Sequence, residues 1–233
     1  MRLKYRNLWN GSSEMLKSRE VKIQSSTSSE NEFLDTLRIQ KQVVIDSVQS
    51  GLMARSRENE FSPRTAPGYH AWSAIVKDLR FQLKTLNWGV PKYENGLDLI
   101  VSSLLNINIV VSSGDKDTGL KNTSPRLNNE KGKGFKSTVD LNYDLFDEFE
   151  SFNSAMASDT NQTWILLYYI NEDCSEAHFE ISLPISLENG QVTGWKKRFI
   201  FDPIIRSQPA FNKKDVEANF SEEIDLVITR KNG

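Results

Sequence analysis

Six cations punctuate a stretch of 21 residues: Lys116, Lys121, Arg126, Lys131, Lys133 and Lys136. They stand among Gly, Asn, Thr and Ser, opposed only by Asp115, Asp117 and Glu130, for a net charge of +3. Cations at this density neutralise phosphates. Within Lys131-Gly132-Lys133-Gly134-Phe135-Lys136, flexible glycines would let the ammonium groups follow a backbone while Phe135 stacks on a base. The first expectation is an accessory binding protein that engages a polyanion, nucleic acid foremost, through loop 116–136. It requires no cofactor. A solvated loop has the same composition.

A second chemistry needs carboxylates. Asp115 and Asp117 lie in Ser112-Ser113-Gly114-Asp115-Lys116-Asp117-Thr118-Gly119, where a strand runs into a loop. The Asp-x-Asp pair suits Mg²⁺ or Mn²⁺, yet the Gly-Lys-Ser/Thr of a phosphate-binding loop and the later Gly and Glu of an EF-hand are missing. Glu176, His178 and Glu180 alternate along a strand and share one face. Two carboxylates and an imidazole can ligate a divalent ion or move protons. Any half-exposed strand has a similar polar face. The alternative function is therefore a divalent-metal-dependent phosphoesterase or nuclease. Ser182 stands where a nuclease of the Asp…Glu-x-Lys type would place lysine. With two histidines, His70 and His178, a three-histidine zinc site is impossible. No Gly-x-Ser-x-Gly elbow supports a serine nucleophile. Arg55, Arg57, Glu58, Glu60 and Arg64 form a charged connector that reads as a phosphate clamp or as local ion pairs.

The charge is unevenly spread. The whole chain carries −2, but residues 137–195 hold 11 acidic residues and no Lys or Arg. Residues 1–136 carry +7. A third expectation follows, a protein-interaction module whose acidic 137–195 surface takes a basic partner. The single cysteine, Cys174, allows no intrachain disulfide, which fits a reducing cytoplasm. The longest strongly apolar stretch, Trp164 to Ile170, is too short to span a bilayer, so no membrane role is expected. The basic start, Met1 to Asn10, lacks the apolar core of a signal peptide.

These groups need a scaffold, and 233 residues suit one large domain with an arm. Residues 1–29 are serine-rich and aperiodic and read as a flexible polar arm. Ser29-Glu30-Asn31-Glu32 matches a capping box and predicts a helix running to Gly51. Trp72, Ile75, Val76, Leu79, Leu83 and Leu86 predict a second helix over 70–86. A third is predicted near 139–156. Strands are predicted at 97–101, 107–112, 163–170, 178–183, 197–201 and, at the C-terminus, 224–229, with a turn at Asn189-Gly190. Short links between strands argue for antiparallel pairing. The expected fold is a single α+β domain over 30–233, an antiparallel sheet of about five or six strands against two or three helices.

Ala54-Arg55-x-Arg57-x-x-Glu60, Leu79-Arg80 before Asn87-Trp88, and Ser113-Gly114-Asp115-x-x-Thr118-Gly119 occur in this order, followed by Pro125, Lys131-Gly132 and Asn142. This series, over roughly residues 54–200, resembles a group of uncharacterised bacterial proteins. The resemblance implies a bacterial or phage, cytoplasmic setting and assigns no catalytic residue.

Overall fold

A computed structural model describes residues 26–206, apart from Asn87, Val90 and 151–160. Most of the polar arm, the end of the third predicted helix and the 224–229 strand lie outside the described residues. The chain begins with three helices: α1 (Ser26–Leu37), α2 (Lys41–Arg55) and α3 (Ala66–Thr85). Strands β1 (Lys92–Glu94), β2 (Leu97–Ser102) and β3 (Ile107–Ser113) follow. After a long loop come α4 (Lys133–Glu150), β4 (Gln162–Ile170) and β5 (Glu176–Pro184). The short hairpin β6 (Leu187–Glu188) and β7 (Gln191–Val192) precedes β8 (Trp195–Ile200) and β9 (Ile204–Ile205). The class is α+β.

Seven strands form one mixed sheet, in the order β1-β2-β3-β4-β5-β8, with β9 also on β5. All neighbours are antiparallel except β3 and β4, which run parallel from Ile107↔Gln162 to Ser113↔Tyr168. This corrects the wholly antiparallel expectation. A parallel return needs a long crossover, and the loop plus α4 supplies it.

The sheet is covered on both faces, so central β4 is buried along Thr163–Tyr168 and reads as a continuous apolar run. One face carries Ile109, Val111, Trp164, Leu166, Phe179 and Ile181 against α1, α2 and α3. The other carries Val110, Ile165 and Leu167 against Leu127, Phe135, Val139, Leu187 and Trp195. Buried Asn142 joins α4 to the sheet: it accepts from the Thr163 N–H at 2.7 Å and donates to the carbonyls of Thr163 (2.9 Å) and Pro184 (3.3 Å).

The helix predicted to run from Ser29 to Gly51 is two helices. Arg38, at φ 52°, turns the chain between them, and Ser29 falls inside α1. Gly51 is interior to α2 and does not end it. A Cβ there would sit 2.4 Å from Ile75 Cγ1 and 2.9 Å from the Ala71 carbonyl oxygen, so glycine permits the close α2–α3 approach. Gly51→Ala should cost about 1–3 kcal/mol from overpacking, less up to ~1 kcal/mol of improved helix propensity. Urea unfolding checks this, and a more stable variant would contradict the packing.

Asn189 (φ 49°) and Gly190 (φ 74°) make the expected two-residue turn, between β6 and β7.

Candidate nucleic-acid interface and the clamp beneath it

The loop after β3 is tightly closed. The Asn128 N–H bonds to the Ser113 carbonyl at 3.0 Å, and the Asp115 N–H to the Arg126 carbonyl at 3.0 Å. Gly114 and Leu127 form an isolated bridge. Inside, Asp115 Oδ1 accepts from the Asp117 N–H at 3.1 Å, an Asx turn, and the Thr123 hydroxyl bonds to the carbonyls of Asp117 (2.8 Å) and Leu120 (2.9 Å). The loop is an Ω-type structure with its ends together.

A buried ion pair holds this loop to the sheet. Arg198 on β8 and Glu180 on β5 have side chains only 2% and 0% exposed. Arg198 Nε donates to Glu180 Oε1 at 3.0 Å, and its Nη2 donates to Oε2, a bidentate pair. The guanidinium also reaches the carbonyls of Thr123 (2.5 Å) and Leu120 (3.2 Å). Glu180 accepts further from the Gly119 N–H at 3.0 Å and the Ser182 hydroxyl at 2.7 Å. Gly119, at φ 71°, makes this approach possible, since a Cβ would stand 2.9 Å from the Phe179 nitrogen. Farther along, Gln191 exchanges two hydrogen bonds with the Leu127 backbone, and the Trp195 indole donates to the Pro125 carbonyl at 3.2 Å. The Lys131 N–H reaches the Gly190 carbonyl at 2.9 Å. The basic loop and the acidic stretch therefore meet, mainly through backbone and a buried pair.

Several expected site residues have other duties. Phe135 is 2% exposed and packs with Val139 and Leu187, because α4 starts at Lys133 and turns that ring inward. It does not stack on a base. Lys131 is half-buried, its Nζ 5.7 Å from the Phe135 ring centroid, and burial lowers its pKa. Lys136 pairs with Asp140 one helical turn on, at 2.5 Å. Gly134 serves packing: a Cβ there would fall 2.1 Å from the Asn95 carbonyl oxygen, whereas a Cβ on Gly132 would meet nothing within 4 Å. Lys116, Lys121, Arg126 and Lys133 remain exposed. None of these four forms an ion pair within 4.0 Å among the described residues.

The carboxylate groups behave differently from a metal centre. Glu176, His178 and Glu180 do share one face of β5, but His178 Nε2 is 2.8 Å from Glu176 Oε1 and Glu180 is consumed by Arg198. Asp115 and Asp117 are half-buried in the Asx turn. Among the described residues, no three of His, Cys, Asp and Glu gather as a metal-binding group. Of the acidic stretch, Glu180 is buried, Asp140 is paired, and Glu172, Asp173 and Glu188 are exposed. Hydrogen bonds from the Ser175 hydroxyl and N–H hold the Asp173 carboxyl below its usual pKa.

Arg198 is the residue that sequence reasoning missed. Its one available signal was an arginine beside buried Phe199 on an alternating strand, which gives no indication of a partner 18 positions earlier.

Comparison of the chain with family models, curated proteins and solved structures finds no match. The functional reading therefore rests on the side chains just described. No helix among the described residues is long and apolar enough to cross a membrane.

Proposed function

We propose that this chain is a polyanion-binding protein, with nucleic acid as the leading ligand class, and that its contact surface is the outside of the 114–133 loop. The observation that carries this reading is the contrast between the two sides of that loop. Its inner side is fixed by Arg198, Glu180, Gln191 and Trp195. Lys116, Lys121 and Arg126 are exposed and form no ion pair among the described residues, with Lys133 at the adjoining start of α4. Cations on an already ordered backbone lose less entropy on meeting a phosphate chain than cations on a floppy loop.

With Phe135 buried, the interface is electrostatic and lacks its stacking ring. Binding should then follow charge density, with duplex DNA held more tightly than a single strand of equal length and with little dependence on sequence. Fluorescence anisotropy with labelled single- and double-stranded oligonucleotides at low salt tests this. A marked preference for single strands would contradict it and favour a stacking surface.

A further inference from the structure

The connector between α2 and α3 lies at the same end of the sheet as the basic loop. α3 runs back along β3. Just past its C-terminal end, the Gly89 N–H bonds to the Val101 carbonyl at 2.8 Å, and Val101 pairs with Asn108 at the start of β3. Near its N-terminal end, the Trp72 indole donates to the Val111 carbonyl at 3.2 Å. Val111 is two residues before Ser113, whose carbonyl closes the basic loop. The connector itself is an ordered turn. The Asn59 side chain accepts from the Phe61 N–H at 3.0 Å, and the Asn59 carbonyl accepts from the Ser62 N–H at 3.0 Å. Glu58 and His70 tie the two ends together, with Oε1 and Nδ1 2.6 Å apart.

This fixed backbone displays two rings to solvent. Phe61 on the turn is 87% exposed, and Tyr69 is 60% exposed. Tyr69 is steadied by the Trp72 ring, their centroids 6.0 Å apart. An apolar ring held in water contributes nothing to folding. Arg57 and Arg64 flank Phe61, are exposed, and make no ion pair within 4.0 Å among the described residues. Arg55 is half-buried, and its buried Nε has no hydrogen-bond partner. Of the two carboxylates among these arginines, Glu58 is committed to His70 and only Glu60 remains, so the free charge is positive. Exposed rings beside guanidinium groups suit unpaired bases. Every base has a face to stack on a ring, and arginine takes the phosphates between bases. The basic loop has no such ring of its own, because Phe135 is buried.

We propose that the connector is a second nucleic-acid contact, which takes unpaired bases adjoining a duplex held by the basic loop. Phe61 and Tyr69 stack on the bases, and Arg57 and Arg64 pair with their phosphates. This rests on the polyanion reading above and adds a structural preference to it. A duplex that ends in a single-stranded tail is held more tightly than a blunt one, while a blunt duplex engages the basic loop alone.

The test is fluorescence anisotropy of the full chain with three labelled duplexes: blunt, extended by a short single-stranded tail, and extended by an abasic tail with the same phosphates. The abasic tail separates stacking from charge. The base-bearing tail should bind about tenfold more tightly than the abasic one, the scale of one stacked base. Phe61→Ala should abolish that difference and Tyr69→Ala should reduce it. Both should leave binding to the blunt duplex, and its salt dependence, unchanged. The pair Arg57→Gln and Arg64→Gln should lose the extra salt dependence that a tail brings, a slope of about one. A 2-aminopurine in the tail should change its fluorescence on binding wild type and not Phe61→Ala. Blunt-duplex binding with equal affinity for the two tails, or an undiminished difference in Phe61→Ala, would overturn this proposal and leave the polyanion reading standing. No binding to any duplex at low salt would overturn both. Self-association of the wild type that Phe61→Ala abolishes, read by sedimentation, would overturn it in favour of a second copy of the chain.

Discussion

Arg198→Met should destabilise the protein by about 3–5 kcal/mol, the usual consequence of removing one partner of a buried ion pair. The change strands the Glu180 carboxylate, fully buried, with only the Gly119 N–H and the Ser182 hydroxyl. It also orphans the Thr123 carbonyl and leaves the Leu120 carbonyl with the Thr123 hydroxyl as its donor. Against a typical total of about 5–15 kcal/mol, this is a large fraction. The damage should be local first. Amides of residues 117–124 should exchange faster than those of β4, whose bonds lie at the centre of the sheet. Chemical denaturation and hydrogen exchange together check the claim. A variant within about 1 kcal/mol of wild type would mean that the pair does not hold the loop. Adding Glu180→Gln to Arg198→Met should recover part of the loss, because the stranded charge is gone while the amide oxygen can still accept from the Gly119 N–H and the amide NH2 can donate to the Ser182 hydroxyl oxygen.

The second large effect concerns the outer surface. Replacing Lys116, Lys121, Arg126 and Lys133 by Gln removes four cations that make no ion pair among the described residues. Folding stability should change little, since exposed unpaired charges contribute little to it. Binding to duplex DNA should weaken strongly. Four phosphate contacts correspond to a salt slope of about −3 to −4 on logarithmic axes, or roughly a hundredfold in affinity between 50 and 200 mM salt. Each single substitution should reduce that slope by about one. Lys131 and Lys136 should matter less, because one is half-buried over Phe135 and the other is paired with Asp140.

The two effects separate structure from contact. Arg198 should alter loop order while leaving every exposed cation in place. The four surface residues should alter binding and leave loop order intact.

Much of the scaffold was legible in the residues. The Trp72-to-Leu86 spacing located α3, and the unbroken run Trp164–Ile170 marked a strand, which the structure buries on both faces. The turn at Asn189-Gly190 was equally plain. The α1–α2 break was not, because apolar spacing continues across Arg38 and nothing local announces a positive φ at arginine. Gly51 was misleading for a related reason. A glycine within a helical pattern signals a stop when it lies at the end, and a close helix contact when it faces Ile75. The parallel β3–β4 pair was within reach, since a long polar segment and a helix separate those strands.

The site was only half legible. The exposed cations could be read from composition, but Phe135 could not be placed until the start of α4 at Lys133 was known. A helix start at Lys133 instead of near 139 moves that ring from solvent to core. Glu180 looked like one of three carboxylate-face ligands until its partner on β8 was seen. Pairing between strands is a property of the fold, and 18 residues of sequence separation hide it. Arg55 was read together with its charged neighbours, and only the geometry separates it from them.

The most direct test of the account is the salt dependence of duplex DNA binding by the wild type and by the four-cation variant, measured by anisotropy from 50 to 200 mM salt. The account predicts a wild-type slope of about −3 to −4 and a variant slope near zero with greatly weakened binding. Equal slopes in the two proteins, or no binding by the wild type at the lowest salt, would contradict it.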